Sequence, residues 1–421
     1  MMRGEWIFHL CRNALRLPLG IFVKKIHFDG TENFSKGMPV LLACNHPNSF
    51  LDGVVFGHFT RRRVFILARG DAFKKPVVNY ILRGMRLLPI FRARDADADT
   101  ARKGNSRTMD ELYERFSQKD SVLIFSEGIA YPEKAVRPVK NGTAGIAVEM
   151  AKRSDFTMDL HVVPASLNYS KFWTLMQTVH VTYHKPIPVL EYKEMIMNDE
   201  KGFTNMLMSK VKKSFDSNVV VTKGEYSDEK EMVHTIMLNE NYKPLTYRIM
   251  DSWELSIEKA NKMGAELAEK VANYEKALKT HNVYDSNVGD KSFDFLSAII
   301  AISTLFFSLP VYLVWLFFWK LADRYAKRKF KSVVFWDSVR AGIGMFHAII
   351  IIVTLAILTA NFYPSYWWIL FTTAGIYGGI CWYRFIDSFP HLWKELTYLG
   401  LSDEVKADLT TQREEIIQRL K

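Results

Sequence analysis

The chain has 421 residues and a formal net charge of +11, with 56 Lys and Arg against 45 Asp and Glu. This length allows two or three folding units, and the basic excess suits an anionic membrane surface, an acidic carrier protein or nucleic acid. Its cysteines, Cys11, Cys44 and Cys381, are far apart and lack ligand spacing, so neither a disulfide framework nor a metal site is expected and a reducing cytoplasm is the default.

Residues 1–24 predict an amphipathic helix that lies at a bilayer interface. Apolar residues such as Trp6 and Phe8 are mixed with Arg12 and Arg16, a composition typical of interfacial helices. The same cations interrupt the apolar stretch that a secretory signal would need. An ordinary amphipathic packing helix is the alternative interpretation.

Residues 25–225 alternate short β-rich runs with helical stretches, which predicts an α/β domain. The predicted strands are Lys25–Phe28, Val40–Cys44, Val64–Ala68, Val122–Phe125, Leu160–Leu167 and His180–His184. Apolar residues spaced as on one helix face predict a helix from about Met109 to Phe116, with Thr108 and Glu111 as its capping box. A second helix is predicted after Gly142.

A helical extension is predicted over residues 226–292. From Trp253 to Lys279, apolar residues recur every three or four positions, and this spacing predicts one long helix. We expect its apolar seam to pack on the preceding domain or on the membrane, because it spans too few heptads for a long coiled coil.

Residues 293–385 predict a transmembrane region of two or three hydrophobic helices. Leu296–Trp319 contains no charge over 24 residues, and Ala341–Tyr383 runs for 43 residues with only His347 titratable. The second run is broken near Asn361–Ser365 and therefore predicts a hairpin. Ser308-Leu309-Pro310 leaves open whether the first run crosses once or forms re-entrant half-helices.

The basic loop between the hydrophobic runs predicts the orientation of the chain in the membrane. Lys320–Arg340 carries seven Lys and Arg against two Asp, which favours the cytoplasmic side. Residues 386–421 are then predicted to form a cytoplasmic tail.

A histidine and an aspartate follow the predicted strand Val40–Cys44. His46 should lie just beyond the end of this strand, where sites of α/β proteins form, and Asp52 should lie near the start of the next helix. An imidazole can remove the proton of a hydroxyl, and a carboxylate can fix its tautomer and stabilise the imidazolium. The alternative is a histidine and an N-cap aspartate without a chemical role.

The His–Asp segment and three short segments further along the chain form one pattern. In chain order the four segments are Asn45–Asp52, Leu88–Arg92, Phe125–Gly128 and Val163–Tyr169. Together they resemble the motifs of the glycerolipid acyltransferase family, which moves fatty acyl groups onto glycerol-phosphate hydroxyls. The resemblance covers about Lys25 to Val189. Five residues separate His46 from Asp52, and this spacing resembles a branch that acylates glycerol-3-phosphate or dihydroxyacetone phosphate.

The resemblance implies an acyltransferase domain with a mixed β-sheet flanked by helices, followed by a long helix and a C-terminal α-helical membrane region. It also implies roles for single residues. His46 would be the general base and Asp52 the carboxylate that orients it. Arg92 would contact the acceptor phosphate through its fixed, bidentate guanidinium. A solvated basic stretch is the alternative for Arg92.

Further positions are implied on the acceptor side and on the acyl-donor side. Glu127 and Gly128 would bind a glycerol hydroxyl or organise basic groups, and Arg137 and Lys140 resemble the family's basic stretch after this motif. Ser126 and the pair Ile129-Ala130 depart from the family's usual proline and polar pair.

Pro164 and Asn168 would shape the acyl-donor pocket. The alternative for Pro164 and Asn168 is a buried strand that ends in a turn.

As a whole, the resemblance implies a membrane-bound O-acyltransferase of phospholipid biosynthesis whose catalytic domain faces the cytoplasm. The acyl group would pass from acyl-CoA or acyl carrier protein to glycerol-3-phosphate, without metal or bound organic cofactor. Expected partners are membrane lipids, acyl carrier protein and the glycerol-phosphate acceptor; no nucleic acid is expected. The alternatives are acylation of 1-acylglycerol-3-phosphate or another lysolipid, including lyso-ornithine lipid, and a non-catalytic membrane scaffold with this fold.

Overall fold

The computed structural model describes residues 5–60, 62–91, 98–172, 177–239, 249–251, 256–289, 320–329 and 393–421, with isolated positions at 317, 353, 357 and 361. Apart from those isolated positions, the predicted membrane segments Leu296–Trp319 and Ala341–Tyr383 lie outside the described residues. Within the described ranges, no helix combines the length and the apolar character needed to span a membrane.

A mixed sheet forms the centre of the N-terminal domain. In the described part of the chain, its strands are β1 (Val23–Asp29), β2 (Val40–Cys44), β3 (Val64–Arg69), β4 (Leu87–Ile90), β5 (Ser121–Phe125), β6 (His161–Tyr169), β7 (Gln177–Tyr183), β8 (Ile187–Pro188) and β9 (Ile249–Asp251). Their order is β4-β3-β5-β2-β6-β7-β1-β9, with β8 beside β6. Neighbouring strands are parallel except where β6 meets β7 and β8. The predicted α/β class with a mixed sheet is confirmed.

Helices cover both faces of the sheet and form the extension beyond it. Among the described residues they are α1 (Glu5–Phe22), α2 (Ser49–Phe59), α3 (Pro76–Gly84), α4 (Ala98–Ser117), α5 (Gly142–Arg153), α6 (Lys193–Asn198), α7 (Glu200–Asn218), α8 (Ser227–Asn239), α9 (Ile257–Asn261), α10 (Ala265–Thr280) and α11 (Asp403–Leu420). Residues 320–329 and 393–399 are also helical.

Local sequence explains several of the helix starts. Pro76 opens α3, where its fixed φ and missing N–H are tolerated. Asp199 caps α7 by accepting a hydrogen bond from the Gly202 amide at 2.8 Å, and Ser402 caps α11 through the Val405 amide at 3.4 Å.

The predicted start of α4 was wrong. The helix begins at Ala98, so Thr108 is an interior residue and does not form a capping box. Its buried hydroxyl donates to the carbonyl of Pro89 at 2.6 Å and lies 3.1 Å from the carbonyl of Gly104. A threonine whose hydroxyl bonds to the preceding turn of its own helix is compatible with a helix interior.

The single long helix predicted from Trp253 to Lys279 was also wrong. The described residues there form α9 and α10, with the chain extended at Gly264 between them. Asn261, at the end of α9, donates to the carbonyl of Val219 at 2.7 Å and accepts from the amide of Val221 at 2.8 Å. These bonds fix the end of α9 to the segment after α7.

The sheet separates two hydrophobic layers. Its central strand β2 is buried along its whole length, as expected of a strand with both faces covered. On one face Leu41 and Ala43 pack with residues of α4, α5 and α7. On the other face Leu42 and Cys44 pack with residues of α2.

A separate hydrophobic cluster holds the helical extension together. Residues of α8, α10 and α11 pack around Val271 and Ile416. At its centre, the buried carboxylate of Asp285 accepts from the hydroxyl of Tyr274 at 2.8 Å and from Nε of Arg413 at 2.9 Å. The C-terminal segment 386–421, predicted as a tail, therefore contributes α11 to this cluster.

Buried histidines line the sheet where β1 and β7 pair. His27 lies opposite His180, whose Nε2 is 2.7 Å from the carboxylate of Asp29. Burial lowers the pKa of His27 to about 4, and the neighbouring His180 and Lys25 contribute to the same direction. Burial likewise lowers the pKa values of His180 and His234.

We expect the free energy of unfolding to fall as the pH drops from 6.5 to about 4. In this range the unfolded chain protonates at His27 while the folded protein does not, so protons favour unfolding. At pH 4, one such buried histidine lowers the free energy of unfolding by about 3 kcal/mol relative to neutral pH. Urea unfolding at a series of pH values should show a weaker pH dependence for His27→Gln. His9→Gln, at a residue 53% exposed, is the matched control and should follow the unmodified chain. Identical pH dependence in His27→Gln would contradict this assignment.

Candidate active site

The ends of β2 and β5 bring the first and third sequence segments together. The parallel register pairs Cys44 with Phe125, and the amide of Ser126 donates to the carbonyl of Cys44 at 2.8 Å. His46 and Glu127 each lie two residues beyond this pair. The backbone amide of His46 then donates to Oε2 of Glu127 at 2.9 Å.

His46 and Asp52 contact each other across the turn between β2 and α2. Nδ1 of His46 lies 2.8 Å from Oδ2 of Asp52, which is fully buried in the first turn of α2. The amide of Asn48 donates to the same oxygen at 2.8 Å. Ser49, the first residue of α2, has a φ of 41°, an uncommon value for a residue with a side chain. The five intervening residues thus let the aspartate reach the imidazole.

The imidazole of His46 is held on its flat face as well as at Nδ1. It stacks on the ring of Phe125 with centroids 3.7 Å apart and planes 9° from parallel. Because a carboxylate only accepts hydrogen bonds, the contact with Asp52 places the proton of the neutral ring on Nδ1. Nε2 of this partly exposed ring is then the atom able to accept a proton from a hydroxyl.

Tyr169 completes the hydrogen bonding of Asp52 and was not among the predicted site residues. Its hydroxyl donates to Oδ1 of Asp52 at 2.7 Å, and its side chain is buried. Tyr169 is the last residue of β6 and belongs to the fourth sequence segment. The available signal was a polar ring at the end of a β-prone run, but nothing in the spacing indicated its partner.

Asn45 joins the fourth segment to the first. Its amide nitrogen donates to the carbonyl of Leu167 at 2.9 Å, and its amide oxygen accepts from the Leu167 amide at 2.7 Å. This buried side chain continues the pairing of β2 with β6 beyond the last strand residue of β2. The turn that carries His46 is therefore fixed to β6.

Glu127 links the His46 turn to the following loop. Besides the His46 amide, its carboxylate accepts from the amide of Arg137 at 3.1 Å, and Nη1 of Arg137 lies 3.6 Å from Oε2. Burial raises the pKa of Glu127, while the hydrogen bonds from His46 and Arg137 act in the opposite direction. Of the roles predicted for Glu127, this contact corresponds to organising a basic group.

Three more of the predicted acceptor-side residues, Gly128, Arg137 and Lys140, lie in or directly after the loop that follows Glu127. Gly128 has a φ of 68°, a left-handed conformation that favours glycine. Lys140 follows the loop and is exposed beside Gly128, with its amide bonded to the carbonyl of Ser126 at 2.7 Å. Arg137 is half-buried and bonds to Glu133 at 3.3 Å. Arg92 lies outside the described residues.

The same loop is anchored to the helical extension by Lys134. Its ammonium donates to the carbonyl of Ser170 at 2.8 Å and to Glu231 of α8 at 2.5 Å, and it lies 2.9 Å from Nδ1 of His234. Burial lowers the pKa of Lys134, against the influence of Glu231. Helix α8 thus supports the loop through Glu231 and His234.

Pro164 and Asn168 occupy structural positions on β6. Pro164 pairs with Ala43 of β2 and is buried in the sheet. The side chain of Asn168 donates to the carbonyl of Asn218 at 2.9 Å and accepts from the amide of Val220 at 2.8 Å. These bonds attach β6 to the end of α7. The role of Pro164 and Asn168 in an acyl-donor pocket stays a prediction.

Large apolar side chains are exposed close to the His–Asp pair. Ile129 is 49% exposed and Tyr131 is 51% exposed, and the amide of Tyr131 donates to the carbonyl of His46 at 3.2 Å. Across the described ranges, no group of three or more His, Cys, Asp or Glu side chains has an arrangement that could hold a metal ion.

One segment of the chain matches a known protein family. Residues 25–168, about a third of the chain, match the family model described as Acyltransferase, which supports an acyltransferase domain there. A search of curated protein sequences gave no significant match.

Among solved structures, the chain is similar to the 1-acyl-sn-glycerophosphate (LPA) acyltransferase PlsC from Thermotoga maritima. The alignment has 18% identity, covers 51% of this chain and 84% of that one, and has a TM-score of 0.32.

We expect Glu127→Gln to lower the free energy of unfolding by about 1–3 kcal/mol, because the amides of His46 and Arg137 bond to different carboxylate oxygens and the glutamine nitrogen that replaces one of them cannot accept. Glu133→Gln on the same loop is the matched control. Its carboxylate is more exposed and makes surface ion pairs, so we expect a cost below about 1 kcal/mol. Denaturant unfolding measures both, and equal losses would contradict the role assigned to Glu127.

Proposed function

We propose that the chain is an O-acyltransferase that moves a fatty acyl group from an acyl thioester to a hydroxyl of glycerol-3-phosphate. The observation that carries the proposal is the contact of His46 with Asp52 at 2.8 Å at the edge of the sheet. It lies inside the residues that match the Acyltransferase family model. The thioester is acyl-CoA or acyl carrier protein.

The proposed reaction uses His46 as a general base. Nε2 removes the proton of the acceptor hydroxyl as its oxygen attacks the thioester carbonyl, and Asp52 stabilises the resulting imidazolium. The attack forms the C–O bond of the new ester, collapse of the tetrahedral intermediate restores the carbonyl and breaks the C–S bond, and His46 gives the proton to the departing thiolate. Atoms and charges balance with the two substrates alone. No covalent acyl-enzyme is involved.

Cationic groups near His46 support a phosphorylated acceptor. Lys140 is exposed beside Gly128, and Arg137 is held by Glu127 and Glu133. We propose that Lys140 and Arg92 bind the phosphate, with Arg92 assigned from its motif alone. Arg137 holds the conformation of the loop that precedes Lys140.

We propose that α1 and α3 rest on a membrane surface. Trp6 and Leu10 on α1 are each 60% exposed, and Val77 on α3 is 71% exposed. A Cβ added to Gly84 would lie 2.7 Å from Cδ1 of Ile7, so glycine allows the two helices to approach closely. Such an apolar surface would suit a lipid bilayer, and the hydrophobic runs of residues 293–385 would anchor the chain there, with the catalytic domain on the cytoplasmic side.

A second candidate function is acylation of a lysolipid such as 1-acylglycerol-3-phosphate. Ile129 and Tyr131 are exposed beside the His46 turn, and Ile129 stands where the family usually has a polar residue. An acceptor that already carries an acyl chain could bury this apolar surface, whereas glycerol-3-phosphate could not.

His46→Ala should lower acyl transfer by about 10²–10⁴-fold, because the reaction loses its general base. Membranes containing the protein are supplied with a labelled acyl donor and with glycerol-3-phosphate or 1-acylglycerol-3-phosphate separately. His9→Ala, at a residue 53% exposed, should retain full activity. Undiminished transfer by His46→Ala would overturn the proposal.

The variant Ile129→Asn tests whether the acceptor is glycerol-3-phosphate or a lysolipid. If the lysolipid is the substrate, its KM should rise about tenfold with little change in kcat, because roughly 1.5 kcal/mol of apolar burial is lost. Met197→Asn, at a residue 64% exposed on α6, is the matched control and should leave the KM unchanged. Unaltered KM for the lysolipid in Ile129→Asn would reject this second candidate.

A further inference from the structure

The carboxylate of Asp52 is held from two different parts of the chain. Oδ2 accepts from Nδ1 of His46 and from the amide of Asn48, which both belong to its own turn. Oδ1 accepts from the hydroxyl of Tyr169, which is 117 residues further along the chain. Oδ1 is therefore held by a residue of β6, which lies outside the turn that contains His46 and Asp52.

Strand register places Tyr169 against α2. Side chains alternate along a strand, so Val163, Leu167 and Tyr169 lie on one face of β6. These residues belong to the hydrophobic layer that also contains Val55 and Phe56 of α2. The ring of Tyr169 thus packs on α2, and its hydroxyl reaches the first turn of that helix at Asp52.

The hydroxyl of Tyr169 has a role that packing alone does not require. The ring is 1% exposed, and a phenylalanine would fill the same space in the apolar layer. A buried tyrosine hydroxyl needs a partner, and this one bonds to a carboxylate that is itself 0% exposed. The hydrogen bond therefore joins two buried polar groups, and without it Oδ1 of Asp52 would lose this donor.

Two-sided hydrogen bonding fixes the plane of the carboxylate. With bonds at Oδ2 alone, the group could rotate about the Cβ–Cγ bond and carry the imidazole contact with it. A bond of 2.7 Å at Oδ1 opposes this rotation. Since Asp52 sets the orientation of His46, an error in its plane would misplace Nε2 relative to the acceptor hydroxyl.

We propose that Tyr169 is a positioning residue for acyl transfer, acting through Asp52 on the ring of His46. This inference rests on the proposed function, because it assigns Tyr169 to the same reaction. It predicts that the hydroxyl affects the turnover step rather than the binding of the acceptor.

Tyr169→Phe tests the proposal in the full-length protein in membranes. We expect kcat to fall about 10- to 100-fold while the KM for the acceptor stays unchanged, the range set by a lost hydrogen bond to a charged group. Activity is expressed per mole of folded protein, with thermal unfolding followed in parallel. A kcat within twofold of the unmodified chain would overturn the proposal.

Tyr274→Phe is the matched control. The hydroxyl of Tyr274 donates at 2.8 Å to the buried carboxylate of Asp285 in the helical extension, so this change removes an equivalent bond away from His46. Its thermal unfolding should shift by a similar amount, and its kcat should stay within twofold. An equal fall of kcat in both variants would show a general loss of stability and overturn the positioning role.

A double-mutant cycle with Asp52→Asn provides a readout that a merely structural role would not change. If Tyr169 acts through the carboxylate, adding Tyr169→Phe to Asp52→Asn should lower kcat by less than a further twofold. The same 10- to 100-fold loss in both backgrounds would overturn the proposal.

His46→Ala separates failure of this inference from failure of the proposed function. Activity lost in His46→Ala but retained in Tyr169→Phe rejects the inference alone. Activity retained in His46→Ala rejects the proposed function, and the inference with it.

Discussion

The parallel pairing of β2 with β5 and β6 is the constraint on which the rest of the site depends. Because Cys44 is level with both Phe125 and Ala165, the chain emerges from β2 and β5 at the same edge of the sheet, with β6 running past it. The backbone amide of His46 is then within hydrogen-bond distance of the side-chain carboxylate of Glu127. At this edge of the sheet the strands end, and their last backbone groups need hydrogen-bond partners. Polar side chains are concentrated there and supply them.

Burial of Asp52 joins the stability of this edge to its chemistry. A buried carboxylate is costly unless hydrogen bonds satisfy it, and here the donors are a turn amide, an imidazole and a phenol. The donors that make the buried charge tolerable also orient the imidazole. Asn45 and Glu127 act similarly on the backbone, since each replaces strand pairing with side-chain bonds where β2 and β5 end. Folding and the orientation of the His46 imidazole therefore depend on the same contacts.

Sequence patterns were sufficient to predict the strands that precede His46 and Glu127. Both strands, β2 and β5, are apolar runs, and a buried apolar run can be recognised from the local sequence. The patterns failed where the deciding contact is distant. The capping-box pattern at Thr108 did not reveal that α4 begins ten residues earlier, and the helical spacing did not reveal the break at Gly264. The bond between Tyr169 and Asp52 spans 117 residues and depends on strand register, which the chain does not display locally. The predicted phosphate role of Arg92 and the predicted membrane crossings concern residues outside the described ranges.

The contact with Asp52 places the proton of the neutral His46 ring on Nδ1, and the proposed role of His46 as a base depends on this tautomer. The most direct test is nitrogen NMR of protein labelled at the histidine ring nitrogens, with the His46 signals assigned by their loss in His46→Ala. We expect a protonated Nδ1 and an unprotonated Nε2 in the neutral ring, and loss of this preference in Asp52→Asn. A proton on Nε2 of neutral His46 would contradict this assignment, because the nitrogen proposed to receive the acceptor proton would already carry one.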